Sequence, residues 1–247
     1  MSSQNPGLFC PERPHHKKGM KILRSLPSVI AESGAVFAGG TFCSMMCGEY
    51  RRSDDVDFLC ADSDGYRNLR QALNEDSFSG IPVTKIKMDR YAIRCTLRVD
   101  HTPIKFKIVA EENLAIESSR DQRFPVPVIR LSALAAAKLL ANGDRWADVT
   151  TTSRDILDLG MLLHTYQLDT QEILERIQER DFRIVEEGLV GGLKMLANPR
   201  YFRTSAQKME MELSDMAVAR VAAKRFLAEF REIARPRESP EIWRPMP

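Results

Sequence analysis

The chain has 247 residues, 43% of them hydrophobic, and its 36 Lys+Arg against 34 Asp+Glu leave a formal charge of +2. Such a composition fits one large or two small folded domains and excludes bulk disorder, collagen-like repeats and a disulfide-dense scaffold. No window reaches the ~18 apolar residues of a membrane span, and the basic leader from Met1 to Lys18 lacks the apolar core of a secretory signal. The five cysteines, an odd number, read as reduced thiols of a cytoplasmic protein.

Residues 1–16 are polar and proline-containing and read as a flexible leader, with His15 and His16 solvated or touching phosphate. Met20, Ile22, Leu23, Leu26, Val29 and Ile30 keep a helical period over 17–33, with a break at Pro27 and a stop at Gly34. Residues 35–38 form a short buried strand running into Gly39-Gly40. A short helix follows over 41–47 with Cys43 and Cys47 on one buried face, and then a strand over 56–60. A helix over 66–74 precedes strands at 83–88, 91–99 and 104–109, separated by turns at Asp89-Arg90 and 100–103.

Pro125-Val126-Pro127 punctuates the chain, and beyond it 131–142, 153–166, 170–197 and 205–234 all read helical, with a proline-bearing tail. The expected architecture is therefore α+β. A small mixed sheet with helices occupies residues 1–127, and an α-helical domain over 128–247 contributes to a cleft between the two.

Chemistry concentrates at Gly39-Gly40-Thr41 and, a short helix later, at Ser53-Asp54-Asp55-Val56-Asp57-Phe58. Paired glycines after a strand let backbone N–H groups approach a phosphate, and a helix opening there adds its positive end. Asp55 and Asp57 stand two apart on a strand and so share a face. Two ionised carboxylates held together call for a divalent cation, and magnesium favours carboxylate oxygens together with substrate phosphates. Further on, Lys138 interrupts an apolar helical run, and Arg154-Asp155-Ile156-Leu157-Asp158 follows, with Arg154 and Asp158 at an i,i+4 spacing that pairs them on a helix.

This ordered set, from about Val36 to Leu163, resembles the AbiEii/AbiGii toxin family of nucleotidyltransferases, a branch of the DNA polymerase β-like superfamily. The resemblance implies a nucleotidyltransferase-like fold. Gly39, Gly40, Thr41 and Ser53 would bind the nucleotide, Asp55 and Asp57 would hold one or two Mg2+ ions, and Lys138 would reach the triphosphate. Asp155 would be the second-domain catalytic carboxylate, with Arg154 and Asp158 as support. Members act as toxins of toxin–antitoxin or phage-defence systems and transfer nucleotides from NTPs, typically pyrimidine ones such as CTP, to the tRNA 3′ end. A cognate antitoxin is then an expected partner, and a membrane is not.

Two departures stand out. The gap from Gly40 to Asp55 is about one residue longer than usual, which a loop at Gly48-Glu49-Tyr50 absorbs. The third strand, where the superfamily commonly supplies another carboxylate, reads Ile104-Lys105-Phe106-Lys107-Ile108-Val109. Glu111 substitutes only if that strand is shifted, and otherwise one-metal chemistry, or Asp155 in the missing role, remains open.

The stretch 85–107 carries seven basic residues (Lys85, Lys87, Arg90, Arg94, Arg98, Lys105 and Lys107) against two acids. Clusters of this kind bind phosphate backbones with little sequence reading. Lys85, Lys87, Arg94, Arg98, Lys105 and Lys107 are the candidate RNA contacts. An enzyme of the same fold acting on a protein or small molecule, and an inactive nucleotide- or RNA-binding module, are the alternatives.

Overall fold

The computed structural model describes residues 9–78, 80–111 and 114–234. The expected flexibility of residues 1–8 and the expected C-terminal tail lie outside the described residues. From residue 9 the leader is tied down. The Phe9 amide donates to the Arg123 carbonyl at 2.9 Å, and α1 (Pro14–Arg24) begins with proline in its first turn, where the missing N–H costs nothing. His16 is not solvated as expected but fully buried, its ring 2.6 Å from Glu49. Burial pulls its pKa down, against the opposing pull of that carboxylate.

After the Pro27 break come α2 (Ser28–Glu32), β1 (Val36–Ala38), α3 (Gly39–Met46), β2 (Asp55–Cys60) and α4 (Ser63–Ala72). The expected strands are β3 (Val83–Met88), β4 (Ala92–Val99) and β5 (Thr102–Ala110), followed by two-residue strands β6 (Ser118–Ser119) and β7 (Val128–Ile129) that no periodicity announces. The seven form one mixed sheet in the order β3-β4-β5-β2-β1-β7-β6, with β2 parallel to β5 and β1 parallel to β7. Val128 pairs with Phe37, so the sheet runs past Pro127.

Strand alternation divides this sheet into an apolar and a polar face. Val56, Phe58, Ile104, Phe106, Ile93 and Leu97 are all buried, and the rings of Phe37, Phe58 and Phe106 succeed one another at 5.7 Å across neighbouring strands. Helices α1 and α3 cover this side; a Cβ on Gly19 of α1 would touch both Met45 and Val56. The opposite face carries Asp55, Asp57, Lys105 and Lys107.

The helical part comprises α5 (Leu131–Arg145), α6 (Arg154–Tyr166), α7 (Thr170–Leu174), α8 (Phe182–Leu196), α9 (Pro199–Met209) and α10 (Leu213–Ala234). The continuous helix expected over 170–197 is broken between α7 and α8. There Arg176 is held by Glu172 and Glu117, both at 3.3 Å, which ties the break to the β6 side of the molecule. Gly160 lets α6 meet the α10 backbone at the Ala219 carbonyl. Among the described residues, no helix is long and apolar enough to cross a membrane.

Candidate active site

The site begins where β1 becomes α3. Gly39 has φ +76°, and a Cβ there would lie 2.6 Å from Asp57 Oδ2, so only glycine admits the carboxylate at this spot. A Cβ on Gly40 would collide with the Arg51 guanidinium and come within 3.2 Å of Ser53 Oγ. Gly39, Gly40, Ser53 and Asp57 thus converge at the opening of α3. Thr41 is different. Its buried hydroxyl donates to the Asp55 carbonyl and shares a 2.9 Å hydrogen bond with Ser53, so it braces α3 against β2 instead of facing a phosphate.

Behind the two aspartates lies a buried ionic network. Arg51 grips Asp158 through Nε–Oδ1 at 2.6 Å and Nη2–Oδ2 at 2.8 Å, and the Tyr50 hydroxyl donates to Oδ1 at 2.5 Å. Lys138 Nζ lies 2.7 Å from Asp158 Oδ2 and 3.2 Å from Asp155 Oδ1, while Arg145 holds Asp155 Oδ2 at 2.7 Å. Burial alone would raise both carboxyls, but Arg51 and Lys138 at Asp158, and Lys138 and Arg145 at Asp155, outweigh it and hold them below the usual range. Both stay ionised, and Lys138 stays charged because the two carboxylates outweigh its desolvation.

This network revises several expected roles. Lys138, expected at the triphosphate, is 6% exposed and bound to two carboxylates. Asp155 has both oxygens occupied by cations, which makes it a weak proton acceptor. The Arg154–Asp158 pair is not formed, because Arg51 and Lys138 take Asp158; Arg154 makes no ion pair among the described residues and lines the cleft instead. Tyr50 and Arg145 had no sequence signal, and Arg51 was visible only as a motif member. Three cations against two carboxylates leave the network one positive charge in excess beside Asp57. Burial and then Asp55 raise the Asp57 carboxyl, while Lys138, Lys107 and Arg154 pull it back down.

The β2–β5 register places Asp55 opposite Lys105 and Asp57 opposite Lys107. The strand is not shifted. Glu111 lies four residues beyond Lys107, about 13 Å along the strand, too far to join the aspartates. Continuing outward, Lys107 pairs with Arg94 and Arg94 with Lys87, so one row across the polar face reads Asp57, Lys107, Arg94, Lys87. Arg98 points to the same face two rows further along β4, beyond Thr96, and Lys85 is in β3 with a side chain outside the described ones. Arg94 also pairs with Asp89 at 2.7 Å.

Two cavities meet here. One, of about 310 Å³, is lined by Asp55, Asp57, Lys87, Arg94, Lys105 and Lys107. The other, of about 470 Å³, is lined by Ser53, Asp55, Lys105, Thr151, Arg154 and Lys208. Asp55 and Lys105 border both, so the two hollows give access to the same carboxylate from different sides.

Among the described residues, no group of three or more His, Cys, Asp or Glu side chains is placed to share a metal. Asp55 and Asp57 supply two oxygen donors on one face. Such hard oxygen donors suit a divalent cation.

A glycine-opened helix facing paired strand aspartates, beside a charged helical layer, is the arrangement expected of a nucleotidyltransferase. The family model described as Nucleotidyl transferase AbiEii toxin, Type IV TA system, matches residues 21–243, and the chain belongs to that family of nucleotidyltransferase toxins. MenT4, a nucleotidyltransferase toxin from Mycobacterium tuberculosis H37Rv, is similar in fold at 13% identity and TM-score 0.50, over 90% of this chain and 89% of that one. JHP933 from Helicobacter pylori aligns at 17% identity and TM-score 0.49, over 90% and 96%. No match is found among curated proteins.

Proposed function

We propose that this nucleotidyltransferase moves a nucleotide from an NTP, with CTP a candidate, to an RNA acceptor, the tRNA 3′ end, as a cytoplasmic toxin neutralised by a cognate antitoxin in a toxin–antitoxin or phage-defence setting. The observation that carries the RNA reading is the row Lys87, Arg94, Lys107 running up to Asp57. A small-molecule acceptor needs no such track, whereas a polyanion does.

The cavity beside Ser53 and the α3 opening suits the triphosphate, with Gly39, Gly40 and Ser53 as phosphate contacts and Arg154 as the cation in reach. The cavity along the basic row suits the acceptor. Asp55 and Asp57 would hold a magnesium ion, which when bound offsets phosphate charge. Lys138 acts from behind, fixing Asp155 and Asp158 and adding to the positive field. The acceptor hydroxyl oxygen bonds to the α-phosphorus, the bond from that phosphorus to the bridging oxygen breaks, pyrophosphate leaves, and the hydroxyl proton passes to water.

Incubation with magnesium, each of the four labelled NTPs and total tRNA tests this reading. Label in the tRNA 3′-terminal fragment is the expected result. Label that enters no RNA with any nucleotide overturns it.

A further inference from the structure

Resting on that reading, we infer that the site takes a single divalent cation per bound nucleotide, and that the Lys107 ammonium occupies the flank where a second ion would need an anionic ligand. Asp57 is bordered in register by Ala38 of β1 on one side and Lys107 of β5 on the other. Asp55 likewise meets Lys105. A second ion about 3.5–4 Å from the first would have to draw an oxygen from the neighbouring strand, and there it meets ammonium groups instead.

Among the described residues, no other carboxylate nearby is in a state to replace the missing ligand. Asp158 is held by Arg51, Tyr50 and Lys138, and Asp155 by Lys138 and Arg145. Asp54 pairs with Arg52 at 2.9 Å and His15 at 3.0 Å. Lys107 itself forms no ion pair among the described residues, and its charge acts on Asp57. It therefore supplies, permanently and on the acceptor side of the cleft, positive charge that a second cation would otherwise bring.

Native mass spectrometry of the full chain with Mn2+ and an NTP analogue carrying a methylene between the α- and β-phosphates counts the ions directly. The expected complex holds one nucleotide and one Mn2+, and Lys107→Glu, which restores a carboxylate at this place, holds one nucleotide and two. Two ions on the unaltered chain, or one on a folded Lys107→Glu, overturn the inference. Should Lys107→Glu not fold, Lys107→Gln provides the second arm. It should lower turnover at least about tenfold while nucleotide affinity stays within about twofold, and unchanged turnover overturns the inference. One ion per nucleotide without label transfer to RNA counts against the RNA reading alone. Transfer to RNA with two ions counts against this inference alone.

Discussion

Arg51 and Asp158, 107 positions apart, close a two-pronged ion pair in which neither side chain is more than 4% exposed. That pair fixes the segment entering β2 to the middle of α6 and thereby sets where Asp55 and Asp57 stand relative to the helical layer. Asp158→Asn removes the anion and leaves Arg51 and Lys138 buried without it. A destabilisation of about 3–5 kcal/mol is expected in urea unfolding. A loss below 1 kcal/mol would show that the network relaxes around the change.

The same pair makes stability depend on acid. Asp158 and Asp155 titrate lower when folded than the ordinary value of about 3.9, so the unfolded chain binds more protons in the acid range. Their contribution is fully present above pH ~4 and drains away as the pH falls through the folded values. Melting temperature followed from pH 6 to pH 3 should decline, and Asp158→Asn should flatten that decline.

Asp57 behaves in the opposite sense. Its carboxyl is raised by burial and by Asp55, so its charge costs stability at neutral pH when no cation is bound. Asp57→Asn should lower nucleotide transfer by at least ~10²-fold while leaving the metal-free melting temperature equal or higher. A clear drop in that temperature would assign Asp57 a structural role instead.

Two glycine substitutions should separate site from scaffold. Gly39→Ala forces a Cβ against the Asp57 carboxylate at a left-handed φ, and the expected result is loss of transfer accompanied by ~1–3 kcal/mol of strain. Gly160→Ala drives α6 from α10 at the Ala219 carbonyl, an overpacking cost of ~1–3 kcal/mol. Folded Gly160→Ala should retain transfer, measured below its own melting temperature.

The basic row should be visible as salt dependence. Lys87→Gln and Arg94→Gln should each weaken RNA binding and reduce the slope of log K against log salt by about one. Fluorescence anisotropy with tRNA at several ionic strengths provides the readout, and slopes that do not change place the RNA elsewhere.

Most of the elements around the site were legible because their signals are local. Pro27, Gly34 and the alternation of β2 to β5 act within a few residues, and a period of two alone puts Asp55 and Asp57 on one face. The lysines on the third strand stood out through the resemblance, which marks where another carboxylate is usual, and the β2–β5 register then set them opposite the aspartates. What stayed hidden depends on partners far away in the chain. Nothing near Asp158 indicates that Arg51 and Tyr50 will take it from Arg154, and nothing in a polar leader announces that His16 is buried on Glu49. Strands β6 and β7, at two residues each, are too short for periodicity to register, and the helix break after Leu174 rests on contacts from Arg176 to Glu117.

Glu49, in a left-handed turn two residues before Arg51, receives the backbone amides of Glu12 and Arg13 at 2.6 and 3.2 Å as well as the His16 ring. A single carboxylate therefore couples the start of α1 to the approach of the nucleotide motif. Trimming the chain beyond Glu12 would strip an acid of its amide donors beside the Arg51 segment, so the N-terminal boundary chosen for expression becomes an experimental variable of the enzyme itself.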